Sequence, residues 1–217
     1  MSVSGNTLWS HYWSNFRFSV HQLLEWGYLD LKSTTMGRME EEEITGCLVA
    51  AMQARLADPY APDWTSHFSV KEDPPVHGSG RTGKRRQRTD IVIESAMPRV
   101  GRPHFVFEAK NLRGTKYYTA RRYLGEHGLR RFLRGDYAAA YPEAGMLGYV
   151  QSDTVEHWKG KVQAALEKDA TGLQELRLRG AIQAQVIRGG LPHEWVSEHD
   201  RHTGSPVLIY HVLLWCG

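Results

Sequence analysis

Apolar side chains recur at helical spacing along 38–57, RMEEEEITGCLVAAMQARLA, where Ile44, Leu48, Ala51, Met52 and Leu56 form one stripe. Four glutamates in the first turns suit the helix dipole, and Asp58-Pro59 ends the helix. A second stripe, Val155, Trp158, Val162 and Leu166, predicts a helix over 153–168. Asp153 can cap it, with Glu156 three residues on. Aromatic and apolar residues crowd 8–31, from Trp9 to Leu29, at a spacing that suits one or two helices packed on the domain or on a partner subunit.

Alternation with a period of two marks DIVIE (90–94) and HFVFEAK (104–110) as strands. AGMLGYV (144–150) and PVLIYHVLLW (206–215) read as buried strands, and 117–134 as a basic helix. Residues 72–89 and the polar stretch around His193–His202 read as loops, while 173–188 show no decisive period. No internal repeat or clean linker divides the chain. One domain over 1–217 is expected, with an aromatic-rich helical extension at about 1–37. The alternation of helices and strands predicts an α/β class.

Folding 90–94 against 104–110 as an antiparallel pair, with Asp90 opposite Glu108, places the turn near residue 99. Side chains then sort onto two faces. Ile91, Ile93, Phe105 and Phe107 form an apolar face. Asp90, Val92, Glu94, His104, Val106, Glu108 and Lys110 share the other, with Asp90, Glu108 and Lys110 at one end.

Composition adds little to the class but excludes several functions. Hydrophobic residues make up 41% and charged residues 24% of 217, as in ordinary globular proteins. No apolar run approaches the ~18 residues that span a bilayer. No secretory leader is evident. Two cysteines, Cys47 and Cys216, cannot build a disulfide framework, so a cytoplasmic protein without membrane contact is expected. The net charge of +3 conceals an asymmetry: residues 76–140 hold 15 Lys and Arg against 5 Asp and Glu. Such an excess points to a polyanionic partner.

Two carboxylates converging at a hairpin end repel each other unless a cation joins them. Hard oxygen donors suit Mg²⁺ or Mn²⁺, which would assist hydrolysis of a phosphate ester. Lys110, on the same face, could orient the attacking water or steady the anionic transition state. Around this set lie Arg81, Lys84, Arg85, Arg86 and Arg88, then Arg113 and Lys116, then Arg121, Arg122, Arg130, Arg131 and Arg134 on the following helix. Phosphate contacts by such residues would position a nucleic acid, and Tyr117 and Tyr118 could stack on it.

Asp90 followed by Glu108-Ala109-Lys110 resembles the PD-(D/E)XK nuclease superfamily, the fold of restriction endonucleases, with Thr89 at the place of the name-giving proline. The element order over 38–150 is similar to that family's αβββαβ core, its first strand unplaced. The resemblance implies a restriction endonuclease-like core, a central mixed sheet flanked by helices, with N-terminal helical and C-terminal strand additions. The resemblance implies a metal-dependent nuclease, with DNA as the expected substrate and restriction or phage defence as its setting. It implies catalytic roles for Asp90, Glu108 and Lys110 and a metal held by Asp90, Glu108 and the Ala109 carbonyl. It also implies a glutamate from the first core helix. Glu40 and Glu41 both flank the stripe, and Glu41-Glu42-Glu43-Ile44-Thr45 looks like the family's E-x-x-hydrophobic-Thr pattern, which favours Glu41. Arg85, Arg86, Arg88, Arg113 and Lys116 are the expected nucleic-acid contacts. A homodimer would let a duplex cutter reach both strands.

Two alternatives stand beside this reading. One is a silent nucleic-acid-binding or partner-binding module of the same fold. The other is a nuclease subunit of a larger complex, docked through the aromatic N-terminus. Other signals are weaker. Gly78–Gly83 spells G-x-G-x-x-G but lacks the strand and helix of a dinucleotide site. His193, Glu194, Glu198, His199 and His202 lack metal-ligand spacing. Cys47 reads as a small core residue rather than a nucleophile.

Overall fold

The alternating and helical stripes assemble a seven-stranded mixed sheet with helices on both faces. The computed structural model describes residues 4–32, 36–75, 87–96, 103–114 and 119–217. The elements are α1 (Ser4–Leu31), α2 (Glu41–Ala57), β1 (Phe68–Glu72), β2 (Ile91–Ser95), β3 (His104–Leu112), α3 (Ala120–Leu124) and α4 (Arg130–Leu133). They continue with β4 (Glu143–Val150), α5 (Val155–Thr171), β5 (Leu178–Ala184), β6 (Glu194–His199) and β7 (Val207–Trp215). Strand order is β1-β2-β3-β4-β7-β6-β5. The β3–β4 and β4–β7 pairs are parallel and the others antiparallel.

The hairpin register is the expected one. Ile91 pairs with Phe107 and Ile93 with Phe105, which sets Asp90 beside Glu108 just beyond the ladder. The turn at 97–102 lies outside the described residues. Ile91, Ile93, Phe105 and Phe107 are fully buried beneath α1 and α2. The opposite face is less polar in effect than its sequence suggests. Val92 and Val106 lie in a second core with Tyr123, Phe132, Met146 and Trp158, beneath α3, α4 and α5. Gly145 on β4 is required by this packing, because a Cβ there would sit 2.1 Å from the Phe107 ring.

The aromatic N-terminus is one long helix whose Trp13, Phe16 and Tyr28 are buried in the first core. The stripes of α2 and α5 behave largely as expected: Ile44, Leu48 and Met52 are buried, as are Val155, Trp158, Val162 and Leu166. Cys47 is half-buried and free. No described helix is long and apolar enough to cross a membrane.

Three expectations are corrected and one open segment is resolved. The cap of α5 is Thr154, whose side chain accepts from the His157 amide, because Asp153 adopts a left-handed backbone (φ 61°). The basic segment expected as one helix over 117–134 is, over its described residues 119–134, two short helices. The chain turns tightly at Gly125 and Gly128, where a Cβ would meet the Arg121 and Tyr123 carbonyls at 2.6 and 2.0 Å. Residues 173–188 contain the edge strand β5. The supposed loop near His193–His202 contains β6, whose Glu194, Ser197 and His199 are buried.

Candidate active site

Three segments distant in sequence bring their polar side chains to one end of β3. Asp90 immediately precedes β2, and its Oδ2 accepts the Ala109 amide at 2.6 Å. The Asp90 backbone carbonyl accepts from the Asp73 amide at 3.0 Å, so the end of β1 braces it. Glu108 and Lys110 alternate along β3 and are 1% and 3% exposed. Burying such groups is costly unless they are paired.

The pairing centres on the Lys110 ammonium. Its Nζ lies 2.7 Å from Glu41 Oε1, 2.9 Å from Glu108 Oε1 and 3.8 Å from Asp90 Oδ2, and it donates to the Ala109 carbonyl. Glu41 is the first residue of α2. Its Oε2 accepts the Asn111 amide at 3.1 Å, tying the helix start to β3. Thr45 donates to the Glu41 carbonyl at 2.8 Å and shares a 3.0 Å hydrogen bond with the Tyr149 hydroxyl of β4.

The choice between Glu40 and Glu41 has a local cause. Glu40 is the N-cap and forms a reciprocal box with Glu43. That occupies both residues at the helix terminus, and Glu42 is exposed. Glu41 is left to point at Lys110.

Charge at the site is unbalanced. Three carboxylates share one buried ammonium, with the Arg131 guanidinium 3.7 Å from Glu108 Oε1. Burial, then repulsion from Asp90, pushes Glu108 up to about 8. Burial also raises Asp90, against the pull of Lys110. For Lys110, burial works to lower the pKa, but Glu108, Asp90 and Glu41 outweigh it and the net shift is upward. Glu108 Oε2 is buried with no hydrogen-bond partner. An orphaned carboxylate oxygen beside a second carboxylate is a place where positive charge would be strongly stabilising.

Donor chemistry therefore fits a hard divalent ion at Asp90, Glu108 and the Ala109 carbonyl. Among the described residues, however, no three His, Cys, Asp or Glu side chains form a ready metal-ligand group. The carboxylates are instead gathered around Lys110.

The expected nucleic-acid residues divide. Arg85, Arg86 and Lys116 lie outside the described residues, as do Arg81, Lys84, Tyr117 and Tyr118 and the Gly78–Gly83 segment. Arg88 pairs with Asp73, and its carbonyl accepts the Tyr137 hydroxyl. Arg113 lies 3.4 Å from Glu40 Oε1. Beyond the expected set, Asn111, Tyr149 and Tyr137 support the site. Only the adjacency of Asn111 to Lys110 on a strand hinted at any of these.

Of the polar residues around His193–His202, Glu194 and His199 are buried and hold the fold together. Glu194 Oε1 lies 2.8 Å from His21 Nε2, both fully buried, and its Oε2 accepts the Ile187 amide at 2.9 Å. Ser197 Oγ lies 2.7 Å from both His199 Nε2 and His211 Nε2.

No protein-family model, no curated protein and no solved structure matches this chain.

Proposed function

We propose that this chain is a metal-dependent nuclease with a restriction endonuclease-like core of the PD-(D/E)XK type, hydrolysing phosphodiester bonds in DNA. The observation that carries the reading is the convergence of Asp90, Glu108 and Lys110 with Glu41, a residue 69 positions upstream of Lys110. A surface ion-pair set would not bury its lysine to 3% exposure, nor leave a carboxylate oxygen unpartnered at its centre. The strand arrangement β1-β2-β3-β4, antiparallel then parallel, supports the same core.

Asp90, Glu108 and the Ala109 carbonyl would hold Mg²⁺ or Mn²⁺, which when bound polarises a phosphate oxygen and acidifies water. The remaining work falls to the chain's own groups. The Ala109 amide and the end of β1 fix the Asp90 carboxylate. Glu41 holds the Lys110 ammonium at the site and prevents it from swinging to solvent. Lys110 carries the positive charge that meets the anionic transition state and orients the attacking water. The second core excludes water from the buried side of β3 and so strengthens each of these interactions.

A cytoplasmic protein acting in restriction or phage defence, as a homodimer or with a partner subunit, is consistent with this reading. Incubating the purified chain with plasmid, single-stranded DNA and RNA in Mg²⁺, Mn²⁺ or EDTA tests it. Metal-dependent cutting of DNA is expected. Salt-sensitive DNA binding without cutting would favour the silent module, and activity only in a native complex would favour the subunit.

A further inference from the structure

The basic helix segment after Lys110 carries three arginines in five residues, and the structure gives them different partners. Arg130 lies 2.7 Å from Glu126 and also pairs with Glu175. Arg134 pairs with Glu126 and lies 2.9 Å from Asp136. Arg131 turns the other way, toward the candidate active site. Its Nη1 is 3.7 Å from Glu108 Oε1. Its guanidinium lies over the Tyr137 ring, 5.1 Å from the centroid, and donates to the Tyr137 hydroxyl.

The mounting is firm. Phe132, Leu133 and Tyr137 are fully buried, and the Tyr137 hydroxyl donates to the Arg88 carbonyl, two residues before Asp90. The guanidinium itself is less enclosed, with 26% of the side chain exposed. A separation of 3.7 Å is an ion-pair contact but too long for a hydrogen bond. Among the described residues, no carboxylate comes closer to it. Arg131 is thus a cation at the rim of the site whose fork is shared with the Tyr137 hydroxyl and, at 3.5 Å, with the exposed His127 Nδ1, and not consumed by a carboxylate. Lys110 sits deeper, its ammonium held by Glu41, Glu108 and the Ala109 carbonyl, the last two being groups that the proposed metal would take over.

A nucleic acid approaching three carboxylates is repelled unless a cation with open donors meets its phosphate. We propose that Arg131 binds a substrate phosphate beside the scissile bond, through the planar fork that matches phosphate oxygens. This rests on the nuclease reading for the identity of the anion. It assigns Arg130 and Arg134 to pairs within the chain rather than to the substrate.

The test separates binding from chemistry. A 5′-labelled oligonucleotide, as duplex and as single strand, is titrated in EDTA against wild type, Arg131→Gln, Arg131→Lys and the distant control Arg179→Gln. Thermal melts check that each variant is folded. Arg131→Gln should weaken binding about tenfold and make the salt dependence shallower by about one phosphate contact. Arg131→Lys should keep the salt dependence of wild type but recover only part of the affinity. Arg179→Gln should bind as wild type. Wild-type affinity in Arg131→Gln, an equal loss in Arg179→Gln, or no oligonucleotide binding by wild type would each overturn the proposal. The nuclease reading is judged separately, by cutting in Mg²⁺. Binding lost in Arg131→Gln without any wild-type cutting would keep the clamp and sink the nuclease. Cutting with unchanged Arg131→Gln binding would do the reverse.

Discussion

Lys110 Nζ lies 2.7 Å from Glu41 Oε1, joining the start of α2 to the third strand of the sheet across 69 residues of sequence. That contact turns a short E-x-K strand motif into a site with three carboxylates around one ammonium.

Lys110→Met should reduce cleavage at least a hundredfold, because it removes the group proposed to meet the developing charge. The variant leaves Glu41, Asp90 and Glu108 without their shared cation. Removing one partner of a buried pair costs on the order of 3–5 kcal/mol, so its melting temperature should fall as well. Cleavage should therefore be compared below the melting temperature of the variant. Wild-type turnover in folded Lys110→Met would exclude the assigned role.

Glu41→Gln should be milder. The single amide oxygen can accept from Lys110 Nζ or from the Asn111 amide but not from both, and one of the three charges that raise the lysine pKa is gone. A five- to fiftyfold loss of cleavage, about 1–2 kcal/mol of barrier, is expected with the fold intact. Glu42→Gln, on the exposed side of the helix, should cut like wild type.

The raised Glu108 pKa has a definite sign in stability. A carboxyl that titrates near 8 in the folded chain and at 4.5 in the unfolded chain favours folding when protonated. Its contribution is complete below about 4.5 and is lost as pH rises through about 8. Burial lowers His199 to about 4 and His211 well below its ordinary value, and these act in the opposite sense below about 6.5. The difference between wild type and Glu108→Gln isolates the carboxyl. In EDTA, the melting temperature of wild type relative to Glu108→Gln should fall between pH 5 and 8. Mg²⁺ should restore it most at the upper end, where the Glu108 carboxyl is least protonated and binding displaces the fewest protons. A constant difference across that range would contradict the electrostatics described for Glu108.

His21 and Glu194 hold α1 on β6 through a 2.8 Å contact with no solvent exposure on either side. His21 also shares a 2.9 Å hydrogen bond with the Arg17 carbonyl. His21→Ala should destabilise the fold by about 3 kcal/mol or more, read as a shift in denaturant midpoint, and leave cleavage of the folded fraction unchanged.

The hairpin and its faces were legible because period-two alternation over Ile91, Ile93, Phe105 and Phe107 fixes which side of each strand is buried. That put Asp90, Glu108 and Lys110 on one face; a slip of two residues would keep that face, and the ladder itself sets Asp90 beside Glu108. The strand β6 was not legible. Glu194, Ser197 and His199 read as solvated, yet His21, Ile187, His211 and Leu176 satisfy them, all brought from elsewhere by the fold. The short half-buried β1 gave no pattern for a similar reason, since only Val70 of its five residues is buried. Arg131 looked like its neighbours in sequence. Only the break at Gly125 and Gly128, which reorients the second half of the basic segment, distinguishes it.

The most direct test is cleavage of supercoiled plasmid by purified wild type and Asp90→Asn, each with Mg²⁺, Mn²⁺ or EDTA. Asp90→Asn keeps an oxygen to accept the Ala109 amide while removing the charge and the second carboxylate oxygen. The account predicts cutting by wild type with either metal, none in EDTA, and none by the folded variant. Equal cutting by Asp90→Asn, or cutting that persists in EDTA, would contradict it.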